Sequence, residues 1–207
     1  PGISVIISFF EDRTRMTESV QLRFNGTLAT LTLNRPETHN AFDDALIADL
    51  DAALQAVADS NARALVLTGA GSTFSAGADL NWMRGMAKAS ESENFDDAMA
   101  LARCLRRLNT LAIPTVARVN GSAYGGGVGL LCCCDIALTV DTAKFTLSEV
   151  KLGLVPAVIS PYVIDAIGKR QSRRYMLSAE MMTAQTAKDI GLVHECLPAT
   201  DLDETLE

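Results

Sequence analysis

Two glycine-rich segments carry the residue types and spacing most suited to chemistry: Phe74-Ser-Ala-Gly-Ala-Asp-Leu80 and Tyr124-Gly-Gly-Gly-Val-Gly129. Each follows an apolar β segment, Arg63 to Thr68 in the first case and Thr115 to Val119 in the second. Small residues let a ligand approach the main chain, and N–H groups left free there can hydrogen-bond an oxyanion. Two such loops at successive strand ends could supply one donor each. The second loop also opens a helix, whose positive end favours negative charge. Taken singly, either loop reads as a tight turn with close packing.

Other signatures fail on inspection. Gly69-Ala-Gly71-Ser-Thr-Phe74 starts as a dinucleotide fingerprint does but has Phe where the third glycine belongs. Gly168-Lys169-Arg170 lacks the rest of a phosphate-binding P-loop, and Thr73-Phe-Ser-Ala-Gly77 lacks the first glycine of a nucleophile elbow. There is no HExxH, and His194-Glu-Cys196 has neither the spacing nor the downstream cysteines of a zinc deaminase. Cys104, Cys132, Cys133, Cys134 and Cys196 include no CxxC pair, and three are consecutive. Packed thiols in a reduced, cytoplasmic protein are expected, with no metal site.

The elements that must position these loops can be read from periodicity. Ser19 to Phe24 alternates polar and apolar residues, Asn25-Gly26 turns the chain, and Leu28 to Leu33 resumes the β pattern, which predicts a hairpin. Asp43 or Asp44 can cap a helix whose apolar face is Leu46, Leu50, Leu54 and Val57. Further helices are expected over Asn94 to Leu108, from the second glycine loop through Cys134, near Pro161 to Ile167 and over Thr183 to Ile190, with strands at Thr115 to Val119 and Asp135 to Val140. Strands and helices alternate without a linker, so the class is α/β in one domain.

The chain has 207 residues, 48% of them hydrophobic and 21% charged, with a formal net charge of −7. That apolar share excludes a disordered chain, and no uninterrupted apolar run is long enough for a membrane span. The negative balance disfavours nucleic-acid binding. Lys169-Arg-Gln-Ser-Arg-Arg174 is the one basic cluster that could serve it, and it reads better as a solvated helix face.

Taken together and in order, Asn34-Arg-Pro-Glu-Thr-His-Asn-Ala41, Phe74 to Leu80, Asn120-Gly-Ser-Ala-Tyr-Gly-Gly-Gly127, Cys134-Asp-Ile-Ala137, Phe145 to Pro156 and Ala184 to Val193 resemble the enoyl-CoA hydratase/isomerase (crotonase) family. The resemblance covers roughly Glu18 to Leu197. It implies a crotonase-like spiral of repeated β-β-α units spanning 16–197. Residues 1–15 are expected to be a leader or vector-derived segment, and 198–207 the start of an incomplete C-terminal helical region. It further implies an acyl-CoA thioester substrate, no metal or redox cofactor, and assembly as a homotrimer or dimer of trimers. By position, the N–H groups of Ala78 and Gly126 would form an oxyanion hole, and the backbone at Ala76, Ala78 and Leu80 would line the adenine pocket. Arg35 and His39, with Asn34, lie in the loop that borders the CoA phosphates. Asp79 reads as structural, and Trp82, Met83 and Met86 as a helix face or acyl-pocket wall.

Of the two glutamates that family hydratases use, the second falls on Glu149 and the first on Gly129. A single carboxylate can still take a proton with one oxygen and return it with the other, which suits syn hydration or a C4-to-C2 proton shuttle. The stretch Pro156-Ala-Val-Ile-Ser-Pro-Tyr162 and the run Gly-Gly-Gly-Val-Gly resemble the branch containing methylglutaconyl-CoA and carboxygeranoyl-CoA hydratases. Glycine at 129 would then remove a charge that repels the substrate's own carboxylate, and would make space for it. The expected activity is hydration of a branched, carboxylated enoyl-CoA, with isomerisation by Glu149 alone, or a silent acyl-CoA-binding or RNA-binding member, as alternatives.

Overall fold

The computed structural model describes residues 14–206. Strands β1 (Thr14–Met16), β2 (Val20–Asn25) and β3 (Leu28–Leu33) form an antiparallel meander. The hairpin forms as expected but turns one residue later: Asn25 pairs with Leu28, leaving Gly26-Thr27 as the loop. Gly26 sits at φ +59° while Thr27 keeps a negative φ, so glycine takes the first loop position, as in a type II′ turn. The expected leader lies outside the described residues up to residue 13, and Thr14 and Arg15 pair with β2.

Helix α1 (Asp44–Ala58) follows, capped by Asp43, which accepts from the Leu46 N–H at 2.9 Å and pairs with the Arg35 guanidinium. Its buried face is Leu46, Ile47, Leu50, Leu54 and Val57, the predicted stripe with one addition. Burial pushes the Asp43 carboxyl up, but the Leu46 N–H and Arg35 outweigh it, so its pKa ends below the usual carboxylate value. Asp43→Ala is expected to cost about 1–2 kcal/mol, the usual value of a lost cap, measured by urea unfolding at neutral pH. A depressed carboxylate contributes stability above its unfolded pKa and loses it as pH falls through the folded value. The gap between wild type and variant should therefore close on acidification below the usual carboxylate range.

Three β-β-α repeats come next. Strands β4 (Ala64–Gly69) and β5 (Thr73–Ser75) lead to α2 (Leu80–Met86) and α3 (Glu91–Asn109). Strands β6 (Thr115–Val119) and β7 (Ser122–Tyr124) lead to α4 (Gly126–Cys132). Strands β8 (Ile136–Val140) and β9 (Lys144–Thr146) lead to a 3-10 turn over Glu149–Leu152 and then α5 (Ser160–Ser178). The chain continues through β10 (Met182–Thr183), α6 (Ala184–Asp189) and β11 (Glu195–Leu197). In each repeat the longer strand joins one sheet, ordered β1-β2-β3-β4-β6-β8-β11 and parallel from β3 onward, and the short strand joins a second, ordered β10-β9-β7-β5. Leu31, Leu33, Leu65, Leu67, Ala117 and Val119 are fully buried on the large sheet, and Phe74, Ala123 and Phe145 are the buried centres of the short strands.

Two expectations change in detail. Helix α5 runs on to Ser178 past a break at Gly168 (φ 73°, ψ 158°), so Lys169, Arg170, Arg173 and Arg174 lie on its second part, all exposed. Near the C-terminus, Glu204–Leu206 is a 3-10 turn, anchored by buried Leu202 and by Asp203 pairing with Arg118 at 2.5 Å.

Candidate active site

The sheet-to-sheet crossings deliver both glycine-rich segments to one place. After β5 the chain runs beside Phe42, whose N–H donates to the Gly77 carbonyl (2.6 Å) and whose carbonyl accepts from the Asp79 N–H (2.8 Å). When the neighbours of a residue bond across a parallel pair, its own N–H points the other way. The Ala78 N–H therefore faces away from Phe42, toward a cavity of about 550 Å³ that Ala78 lines. Gly126, the first residue of α4, has an N–H with no intrahelical acceptor and lines the same cavity. The two loops touch: a Cβ on Gly77 would lie 3.1 Å from the Gly126 nitrogen and 2.5 Å from the Tyr124 carbonyl oxygen, and Gly77 adopts φ +78°.

Glu149 enters from the turn after β9. Its Oε1 stands 3.0 Å from where a Cβ of Gly125 would be, and its Oε2 is buried without a hydrogen-bond partner. Burial pushes the Glu149 carboxyl above the usual range, against a smaller opposing effect of its own backbone N–H. Ala76 and Leu80 line the cavity as well, with Met83, Arg84 and Leu152. Asp79 caps α2 by accepting from the Asn81 and Trp82 N–H groups at 2.8 and 2.9 Å.

Arg35 and His39 stand apart from these residues. The Arg35 guanidinium is engaged by Asp43, and the exposed His39 ring places Nδ1 3.1 Å from the Thr73 hydroxyl; their neighbours Thr38 and Ala41 reach the cavity instead. The space proposed at Gly129 does not exist. Gly129 is buried, and a Cβ there would lie 2.2 Å from Cγ2 of Ile159. No room is left at that point for a substrate carboxylate.

Several residues that hold the site carry no signal in pattern or spacing. Asn40, fully buried at φ 55°, donates to the Ala70 and Thr73 carbonyls at 3.0 and 2.8 Å and accepts from the Arg35 N–H. Asn120 accepts from the Gly69 N–H at 3.0 Å and donates to the Gly71 carbonyl at 2.9 Å. Both asparagines lie inside quoted motifs, which is the one clue to them. The cysteines are unpaired thiols, and burial pushes Cys104 and Cys134 up to about 12. Among the described residues no group of three or more His, Cys, Asp or Glu side chains is placed to hold a metal ion, and no helix is long and apolar enough to cross a membrane.

Paired short and long strands, with Ala78, Gly126 and the half-buried Glu149 lining one cavity, are the arrangement of a crotonase fold. The enoyl-CoA hydratase/isomerase family profile matches residues 23–206, and the chain belongs to that family. An enoyl-CoA hydratase of Shewanella pealeana superposes with a TM-score of 0.88 at 44% identity, over 91% of this chain and 71% of that one. The 2,3-dehydroadipyl-CoA hydratase of Escherichia coli is 37% identical over 86% of this chain and 67% of its own length. An enoyl-CoA hydratase of Alternaria alternata is 36% identical over 96% of this chain and 63% of its own. The chain thus spans about two thirds of the length of these curated relatives.

Proposed function

We propose that the chain hydrates a branched, carboxylated enoyl-CoA such as 3-methylglutaconyl-CoA or carboxygeranoyl-CoA, using Glu149 as its one acid/base group. The observation that carries this reading is the Glu149 carboxyl, one oxygen buried and unpartnered, beside two free backbone N–H groups. The thioester carbonyl oxygen would accept from the Ala78 and Gly126 N–H groups. As water adds to C3, Glu149 takes its proton; the electron pair of the C2–C3 bond moves toward the thioester oxygen; Glu149 then returns a proton to C2. Each donor at that oxygen is worth roughly 3 kcal/mol by analogy with other oxyanion holes.

Arg84 supports the carboxylated substrate, being the one cationic side chain that lines the cavity among the described residues. The relative named for 2,3-dehydroadipyl-CoA is consistent with it. Trimeric assembly belongs to the same reading. Assays with 3-methylglutaconyl-CoA and crotonyl-CoA test the substrate. The carboxylated ester should be favoured about tenfold or more in kcat/KM, which corresponds to about 1.4 kcal/mol. Arg84→Gln should erase that preference by raising KM for the carboxylated ester alone. Equal rates in the wild type would sink the substrate proposal, and an equal loss for both esters would assign Arg84 to the CoA moiety.

A second reading, isomerisation of a 3-enoyl-CoA, is favoured by one observation: Ile159 fills the place beside Gly129 where a second acid would stand. Formation of the conjugated 2-enoyl product from a 3-enoyl-CoA, with no hydroxyacyl product, would select it.

A further inference from the structure

Gly125 and Gly129 lie one turn apart, the Gly129 N–H donating to the Gly125 carbonyl at 3.2 Å. Each has its missing side chain replaced by a group from the following repeat. The Glu149 carboxylate covers the Cβ direction of Gly125, and the Ile159 side chain covers that of Gly129. Glu149 and Ile159 are therefore both laid against the start of α4, Glu149 over its N-cap Gly125 and Ile159 over Gly129 in its first turns. Ile159 is itself only 3% exposed, and the loop between the two is tied back by the Leu154 N–H donating to the Glu149 carbonyl.

We propose that Ile159 is a positioning residue for Glu149: it occupies the place of a second acid, forbids any side chain at 129, and keeps water from the inner side of the Glu149 carboxyl. The inference deepens the single-carboxylate function above and rests on it for its meaning. The geometry accounts for two features together. Glu149 Oε2 is buried without a partner, and desolvation is the dominant influence on that carboxyl. The charged groups around it are few. Asp79 and Arg84 line the shared cavity, Lys151 belongs to the same turn, and Tyr124 contributes a phenol. Helix α4 carries no charge, and α5 brings Asp165, Lys169, Arg170, Arg173 and Arg174, all on exposed positions, and the half-buried Tyr162 phenol. An apolar wall, rather than a charged neighbour, is thus the feature to alter.

The test is a carboxyl titration of the ligand-free chain by ¹³C NMR of labelled glutamate, with Glu149→Gln used to assign the signal. Ile159→Ala should lower the Glu149 midpoint toward that of an ordinary glutamate as water enters, whereas Ile159→Val should leave it at the wild-type value. Ile159→Thr, which keeps most of the volume and adds a hydroxyl, serves as the second variant where Ile159→Ala disturbs folding, and should shift the midpoint the same way. A midpoint unmoved in both the Ala and Thr variants overturns the proposal. Because the titration needs no substrate, failure of the hydratase reading would appear in the activity assay and leave this result separate.

Discussion

Glu149→Gln should abolish turnover while sparing CoA-ester binding. General acid–base catalysis by one positioned group is commonly worth a hundred- to ten-thousandfold, so a kcat loss of roughly that size is expected with Kd for a saturated acyl-CoA within about twofold. Glutamine keeps the shape and can still lie over Gly125, but it can neither take a proton nor return one. The stability of this variant runs opposite to its activity. A carboxyl whose folded pKa is raised contributes its stability below the unfolded pKa, and that contribution is lost as pH rises through the folded value. At neutral pH the wild type therefore bears the cost of an ionised, partly desolvated group that glutamine avoids, and thermal unfolding should show the inactive variant at least as stable. The same raised pKa sets the acid limb of the wild-type profile: turnover that needs ionised Glu149 should fall off at a higher pH than for an ordinary glutamate. Retained turnover in Glu149→Gln would place the chemistry elsewhere.

Gly77→Ala should have the second-largest effect, and it reaches a group that no side-chain deletion can remove. The Ala78 N–H is aimed by the Gly77 carbonyl and Asp79 N–H on either side, both bonded to Phe42. A methyl at Gly77 would meet the Tyr124 carbonyl oxygen at 2.5 Å, from a backbone at φ +78° that L-residues rarely adopt. The loop must move, and with it the Ala78 N–H proposed as a donor to the thioester oxygen. Loss of one such donor typically costs a hundred- to a thousandfold in kcat. The backbone conformation itself costs about 1–3 kcal/mol of stability. Gly26→Ala separates the two effects. It carries a similar φ, +59°, with nothing within 4 Å, so it should lower the urea midpoint yet leave kcat unchanged. Equal kcat in both variants would show that the Ala78 N–H is not a donor to the reacting oxygen.

The long elements were legible because burial is written into their periodicity. The 3.6-residue stripe Leu46, Leu50, Leu54 and Val57 is buried throughout, and of the alternation before Asn25 Val20 and Leu22 are buried and Phe24 half-buried. The short strands of the second sheet were not. Thr73–Ser75, Ser122–Tyr124 and Lys144–Thr146 are three residues long, each with one buried apolar side chain, too few residues to show a period of two. The glycine loops could be recognised as places for close backbone approach, but their meeting depends on Phe42, which lies more than thirty residues before the first loop and shows nothing locally of its bridging role. Contact between Gly129 and Ile159 is hidden for the same reason. A glycine thirty residues from an isoleucine looks like vacant space until the fold brings the branched side chain against it.

Asn40 and Asn120 have one more consequence. Between them their side-chain amides bond the main chain at Gly69, Ala70, Gly71 and Thr73, the turn that carries the chain from the large sheet to the small one. That turn is held from outside itself, by Asn40 in the loop between β3 and α1 and by Asn120 at the end of β6. Its opening would thus require the strand ends to come apart too. The turn that leads into the first glycine-rich segment should therefore have no separate fraying equilibrium: its amides should exchange with solvent only when the whole β layer does, so the approach to the cavity and global folding become one cooperative event.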